Sequence, residues 1–154
     1  MRIALGADHR GTAAIRQLAD MLQRDGHAVE LIGDDTAQAT DYPEQAFAVG
    51  KAIADKKAEL GILVCGTGIG MSIAANKVHG VRAAVAHDEL TAQLSRSHNN
   101  ANVLCLSADL LGQRLIEKIV STWLSTEFSG GRHARRIHKI DAIEKGQDPS
   151  SVKE

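Results

Sequence analysis

A cysteine at the end of an apolar run, a glycine cluster behind it, and an aspartate and a histidine elsewhere are the residues here best suited to proton transfer. Cys65 follows Gly61-Ile62-Leu63-Val64 and precedes Gly66-Thr67-Gly68-Ile69-Gly70. Such a run reads as buried strand, tight turn and helix, the glycines supplying backbone freedom for a ligand-facing turn. In an open α/β sheet, ligands bind at the carboxyl ends of strands, and the N–H groups of such a turn favour negative charge. That setting favours the thiolate, the form in which cysteine acts as base or nucleophile. Thr67 could donate a hydrogen bond there. The alternative is a buried, inert thiol, which is how Cys105, inside Val103-Leu104-Cys105-Leu106, is read.

Asp8 and His9 end the first strand, on the same edge as Cys65, and Asp8 also fits the pattern of a helix cap. His98-Asn99-Asn100 lies between the fourth helix and the fifth strand; it is either turn chemistry or a proton-transfer group titrating near neutrality. Arg132 and Arg136, four apart, share a helix face beside His133 and Arg135: a solvated basic face, or a bidentate grip on phosphate if that face meets the strand ends. His27, His79, His87 and His138 stand singly and read as surface. No HExxH or Cys/His spacing supports zinc, and no metal is expected. The glycines are spaced GxGxG, unlike the GxGxxG of dinucleotide binding, and follow the third strand; Asp88 keeps a nucleotide reading open, whereas a Walker A loop is absent.

These residues need a scaffold. Ile3-Ala4-Leu5 forms the first strand, and Ile15, Leu18 and Leu22 mark the first helix. Val29, Leu31 and Ile32 begin a second strand running out into Gly33-Asp34-Asp35-Thr36. A polar loop reaches Tyr42-Pro43, then Ala46, Val49 and Ile53 give a second helix, Gly61 to Val64 the third strand and Met71 to Val78 the third helix. Val81 to Ala86 is a fourth strand, Glu89 to Arg96 a helix with Leu90 and Leu94 inward, and Val103 to Leu106 a fifth strand. Leu111, Leu115, Ile119 and Leu124 describe the longest helix, and a last one spans Arg132 to Lys145. Strands alternating with helices predict a parallel sheet covered on both faces, a small Rossmann-like or flavodoxin-like sandwich. Residues 1–145 form one domain. The helix at 132–145, hinged by Gly130-Gly131, is expected to cross to a partner subunit, and residues 146–154 to be a disordered tail.

Composition narrows the class. The chain has 154 residues, enough to bury roughly 68–70% of its unfolded surface. A formal charge of -1 gives no basic excess for nucleic acid, and no apolar run approaches the ~20 residues of a membrane helix. Two cysteines make no disulfide framework, and the start MRIALGADHRG shows no leader pattern, so a cytoplasmic setting is expected. Only one Trp, one Tyr and two Phe are present, so the core must be aliphatic.

Taken together, GADHRG, Asp41-Tyr42-Pro43, GILVCGTGIGMSIAANK, GVRAAV, SRSHNNANVL and GGRHARRI resemble the ribose-5-phosphate isomerases of the B type, in the family that includes galactose-6-phosphate isomerase subunits. The resemblance runs from Ile3 to about Glu144. It implies a Rossmann-like three-layer α/β/α sandwich with a five-stranded parallel sheet. It also implies a homodimer or tetramer whose active sites are shared between subunits, and aldose–ketose isomerisation of a sugar phosphate without cofactor or metal. By motif it places Cys65 as the base between C1 and C2 with Thr67 beside it, and Gly66, Gly68, Ile69 and Gly70 around the enediolate oxygen. His98 becomes the ring-opening acid/base, Asn99 a substrate ligand, Asp8 a partner of sugar hydroxyls, and His9, Arg132 and Arg136 phosphate ligands.

One position departs from that pattern. After the NVL strand the family usually carries an arginine that helps bind phosphate, whereas this chain reads Ser107-Ala108-Asp109. Asp109 would repel a phosphate unless it pairs with Arg132, Arg136 or Arg114. Three functions follow: a ribose 5-phosphate isomerase, an isomerase of another aldose phosphate such as a hexose or tetrose phosphate, or a non-catalytic nucleotide- or phosphosugar-binding module.

Overall fold

Five strands alternate with helices along the chain: β1 (Arg2–Ala7), α1 (Thr12–Arg24), β2 (Ala28–Ile32), α2 (Tyr42–Ala54), β3 (Leu60–Cys65), α3 (Ile69–Ala75), β4 (Ala83–Val85), α4 (Glu89–Ser97) and β5 (Val103–Ser107), followed by α5 (Gln113–Ser125) and α6 (Arg132–Glu144). The computed structural model describes residues 1–33 and 39–152. Asp34-Asp35-Thr36, into which the second strand is expected to run, lie outside the described residues.

All strands pair in parallel, in the order β2-β1-β3-β5-β4. The last two are exchanged relative to chain order, and composition accounts for it. All five residues of β5 are buried, as an interior strand between two neighbours requires, whereas Ala83-Ala84-Val85 is short and half-buried, as suits an edge. Side-chain alternation then divides the core between two faces. Ile3, Leu5, Ile62, Val64, Leu104 and Leu106 pack with Ile15, Leu18 and Leu22 of α1 and Ile116, Ile119 and Trp123 of α5. On the opposite face Ala4, Leu63, Cys65, Val103 and Cys105 pack with Val49 and Ile53 of α2 and Met71 and Ala75 of α3. The result is a three-layer α/β/α sandwich, and Cys65 belongs to the α2/α3 face.

Several helical expectations need correction. Leu90 and Leu94 point outward, at 62% and 37% exposure, while Ala92 and Ser95 face in. Periodicity identifies a stripe without saying which side it faces, and on α4 the smaller side chains take the packed side. Tyr42 and Pro43 are the first turn of α2 rather than the end of a loop, Pro being at home there because the first helical N–H groups have no partner. Helix α3 stops at Ala75, and α5 is no longer than α1, α2 or α6, each having 13 residues. Pro149–Ser151, in the segment read as a tail, form a 3₁₀ turn whose entry Asp148 caps through the Ser150 N–H at 2.8 Å. No helix among the described residues is long and apolar enough to cross a membrane.

Helix α6 belongs to neither core cluster. Glu144 ties its end to β4's approach by accepting the Gly80 N–H at 2.7 Å, and His133 at its start stacks on His98. Of its apolar stripe, Ile137 is buried, but Ile140 and Ile143 are exposed.

Candidate active site

Cys65 is the last residue of β3 and is 4% exposed. Its Sγ accepts the Gly68 N–H at 3.1 Å. That donor is aimed by a left-handed backbone at Gly68, with φ of 77°, a conformation costly for any residue with a Cβ. Gly66 and Gly70 owe their identity to something else. A Cβ at Gly70 would meet the Tyr42 ring at 2.6 Å, and one at Gly66 would meet Asp109 Oδ2 at 2.9 Å. Only one of the three glycines therefore serves the turn's dihedrals, and the other two leave room for Tyr42 and Asp109 to close over the turn. Thr67 does not bond the thiol: its Oγ1 accepts the Ile69 N–H at 3.3 Å. Beneath the turn, the buried Ser107 hydroxyl donates to the Gly66 carbonyl at 2.6 Å and accepts the Leu110 N–H at 3.0 Å, joining the loops after β3 and β5.

Asp8 lies on the same edge, because β1 neighbours β3 in register Ala7 to Val64. It is buried, and its Oδ1 accepts the N–H groups of Arg10 at 2.9 Å and Gly11 at 3.2 Å. Gly11, rather than Asp8, is the residue that caps α1. Asp8 nevertheless organises the loop before that helix, and its Oδ2 has no protein partner among the described residues. His9 is exposed beside it, with Nδ1 at 3.3 Å from the Thr40 carbonyl. Asp109 does not pair with Arg132, Arg136 or Arg114; it holds Arg10, Nε at 3.1 Å and Nη2 at 2.7 Å from Oδ1. Both residues sit in loops that follow strands flanking β3, so they meet on its carboxyl edge. The carboxylate raises the pKa of the Arg10 guanidinium above its already high ordinary value.

The remaining predicted residues occupy the other edge of the sheet. His98 caps the end of α4, and the chain passes from it through Asn99 and Asn100 to the start of β5, where Asn102 N–H donates to the Arg82 carbonyl at 3.0 Å. This is the amino edge. His98 is half-buried, and its ring stacks on that of His133 at 4.1 Å between centroids and 8° between planes. Burial first, then the charges of His98, Arg132 and Arg136, push the His133 imidazole below its ordinary pKa. Arg132 and Arg136 are exposed on the first turns of α6, and Asn99 is exposed. Asp88, the acid considered for a ribose, caps α4 by accepting the Thr91 N–H at 2.7 Å.

One chain thus assembles Cys65, Asp8, His9 and the glycine turn at the carboxyl edge, and His98, Asn99, Arg132 and Arg136 near the amino edge of β4 and β5. Tyr42, Arg10, Ser107 and His133 were absent from the residues singled out as site groups. Tyr42, Arg10 and His133 lie inside the motifs quoted above, but nothing in their spacing says what they touch. Chemically, the carboxyl edge offers a thiol with an N–H donor on its sulfur, a buried carboxylate with a free oxygen, and further backbone N–H groups: a base, a hydroxyl acceptor and donors for a developing negative charge.

A family model described as Ribose/Galactose Isomerase matches residues 3–140. The chain is 43% identical to ribose-5-phosphate isomerase B of Escherichia coli over 143 residues, covering 93% of this chain and 96% of that protein. It is equally 43% identical, over 145 residues, to D-erythrulose-4-phosphate isomerase of Pectobacterium atrosepticum, covering 94% and 95%. The crystal structure of ribose-5-phosphate isomerase B from Mycoplasma genitalium with bound ribulose-5-phosphate superposes with a TM-score of 0.90 at 43% identity, covering 94% of this chain and 96% of that one.

Proposed function

The chain belongs to the ribose/galactose isomerase family of sugar-phosphate isomerases, and on that premise we propose that it interconverts ribose 5-phosphate and ribulose 5-phosphate through an enediolate. The observation that carries this reading is the Cys65 thiol, held by the Gly68 N–H at 3.1 Å and standing beside the buried Asp8 at the end of adjacent strands. In the open-chain aldose the thiolate removes the C2 proton, and the C–H electron pair becomes the C1–C2 double bond as charge moves onto O1. Return of the proton from sulfur to C1, with transfer of the O2 proton to O1 as the C2 carbonyl forms, gives the ketose and restores the thiolate. With the Gly68 N–H on Cys65 Sγ and the Ile69 N–H on Thr67 Oγ1, the N–H groups of Gly66 and Gly70 are left on the turn for the oxygen where charge develops, and donors there lower the barrier more than they tighten ground-state binding. Asp8 Oδ2 accepts a sugar hydroxyl. Thr67, bonded to the Ile69 N–H, holds the turn that presents those donors.

Ring opening needs a second acid–base group, and His98 is assigned to it, with Asn99 on the substrate and His9, Arg132 and Arg136 on the phosphate. Since His98 and Cys65 of one chain lie on opposite edges, this assignment calls for a second copy that brings its amino-edge cluster to the first copy's Cys65. Exposed apolar residues supply surface for such a dimer: Ile69 and Ile73 on α3, Leu90 on α4 and Ile143 on α6, each at least half exposed.

The experiment is to follow ketose formation from ribose 5-phosphate with wild type and Cys65→Ala. Turnover should fall by at least about three orders of magnitude, as expected when the proton-transfer group itself is removed. Near wild-type turnover in the variant would remove Cys65 from the role of base. A second reading, isomerisation of another aldose phosphate such as a tetrose phosphate, is favoured by Asp109 and by the erythrulose-phosphate isomerase among the relatives. Clear preference for ribose 5-phosphate in a panel of aldose phosphates would dismiss it.

A further inference from the structure

The loops after β1 and β5 bring an arginine and an aspartate together over the first residue of the turn that follows Cys65. The Asp109 N–H donates to the Gly66 carbonyl at 3.1 Å and the Ala108 N–H to the Cys65 carbonyl at 2.8 Å, so the β5 loop is fastened to the turn by its backbone. Its side chain then lies over Gly66, where a Cβ would meet Asp109 Oδ2 at 2.9 Å and Arg10 Cγ at 3.9 Å. From the other side the Arg10 N–H binds Asp8 Oδ1 at 2.9 Å. The pair therefore touches both the residue after the base and the carboxylate beside it.

Its hydrogen bonding is one-sided. Nε and Nη2 of Arg10 both donate to Oδ1 of Asp109, and among the described residues neither Asp109 Oδ2 nor Arg10 Nη1 has a protein partner. The side chains are 56% and 39% exposed, and the unused Oδ2 of Asp109 lies over Gly66, the residue after Cys65. An exposed ion pair of this kind adds little to folding. As part of a binding site it has a definite chemistry: the formal charges cancel, while a donor edge and an acceptor oxygen remain side by side. A phosphate dianion gains little against it, because Asp109 offsets the guanidinium. A hydroxyl, which donates one hydrogen bond and accepts others, matches both halves.

We propose that Arg10 and Asp109 form a hydroxyl-reading clamp, which selects the substrate of the Cys65 site by a hydroxyl on the carbons next to the reacting pair. The clamp rests on the isomerase reading given above. The pair lies within one peptide unit of Cys65, so what it meets are the carbons adjoining C1 and C2, with the phosphate beyond.

The test compares wild type, Arg10→Met, Asp109→Asn and the double variant on ribose 5-phosphate and its 3-deoxy and 4-deoxy analogues, with inorganic phosphate as a competitive inhibitor and a melting curve for each protein. Wild type should discriminate against one deoxy analogue by about 10- to 100-fold in kcat/KM, as expected for a hydrogen bond to a charged group. In Arg10→Met and the double variant that ratio should shrink to about threefold or less, the inhibition constant of phosphate staying within about twofold and the melting temperature unchanged. An inhibition constant that rises in step with the loss of kcat/KM makes Arg10 a phosphate ligand and overturns the clamp. Unaltered discrimination overturns it too, whether or not the melting temperature falls. These failures leave wild-type turnover and its dependence on Cys65 intact; failure of the isomerase reading would show instead as no turnover by wild type, and the clamp would fall with it.

Discussion

If an active site takes its base from one chain and its ring-opening group from another, two inactive chains should restore activity when mixed. Within one chain the two groups are far apart. β3 and β5 run in register from Gly61 opposite Val103 to Cys65 opposite Ser107, four residues or about 13 Å along the sheet, and His98 lies beyond the amino end of that span. Proton transfer needs each group within about 3 Å of the same small sugar, so one chain's Cys65 and His98 do not share a substrate. Cys65→Ala and His98→Ala should therefore each be inactive alone. After free exchange of equal amounts, about half of the dimers are mixed, and each mixed dimer holds one site with both groups and one with neither, so activity should reach about a quarter of wild type. The assay is ketose formation from ribose 5-phosphate, with the mixed fraction counted independently on a mass-tagged chain. No recovery at a verified mixed fraction of one half would refute the shared site and require a rearrangement that brings α4's end to β3 within one chain.

Gly68→Ala should lower stability by more than the about 1–2 kcal/mol of a left-handed Cβ, because that Cβ would also crowd the Leu106 carbonyl carbon at 3.1 Å, and should lower kcat far more, because the shifted N–H no longer bonds Cys65 Sγ. Gly80→Ala is the control, since Gly80 has φ of +82° with nothing within 4 Å of an added Cβ; equal loss of kcat in both would sink the claim that the Gly68 N–H serves the thiol. The His133 pKa is depressed in the folded state, so the unfolded chain binds the extra proton first as pH falls. That contribution to stability is whole above the ordinary histidine value of about 6.5 and is lost as pH drops through the lower folded value. His133→Phe, which keeps a ring against His98, should flatten the fall in melting temperature below about pH 6.5; an unchanged slope would show that other groups set it.

The division of the candidate site residues between two edges is legible in the sequence. A residue that follows a strand and precedes a helix lies at the carboxyl edge of a parallel sheet, and one that follows a helix and precedes a strand lies at the amino edge. Asp8, Cys65 and Asp109 are of the first kind, and His98 and Asn99 of the second, so the element order alone separates them. What element order does not carry is lateral order. The hydrophobic patterns of β4 and β5 differ, but only burial on both sides puts Val103–Ser107 next to β3 and sends Ala83–Val85 to the edge. That exchange brings the loop after β5 against the Gly66 turn, and with it Asp109 against Arg10 rather than against a cation of α6. The helix stripes fail for a related reason: Leu90 and Leu94 are as periodic as Leu18 and Leu22, yet they face out, because periodicity records that a helix has an apolar side and not what covers it. On α1 the sheet covers that side. Among the described residues no element buries that side of α4, where Leu90 and Leu94 stay 62% and 37% exposed, and Ile140 and Ile143 on α6 stay 42% and 60% exposed. The residues that sequence placed on the wrong side of a helix are therefore concentrated where a lone chain is least complete, around the amino-edge cluster that a shared site would lend to its neighbour.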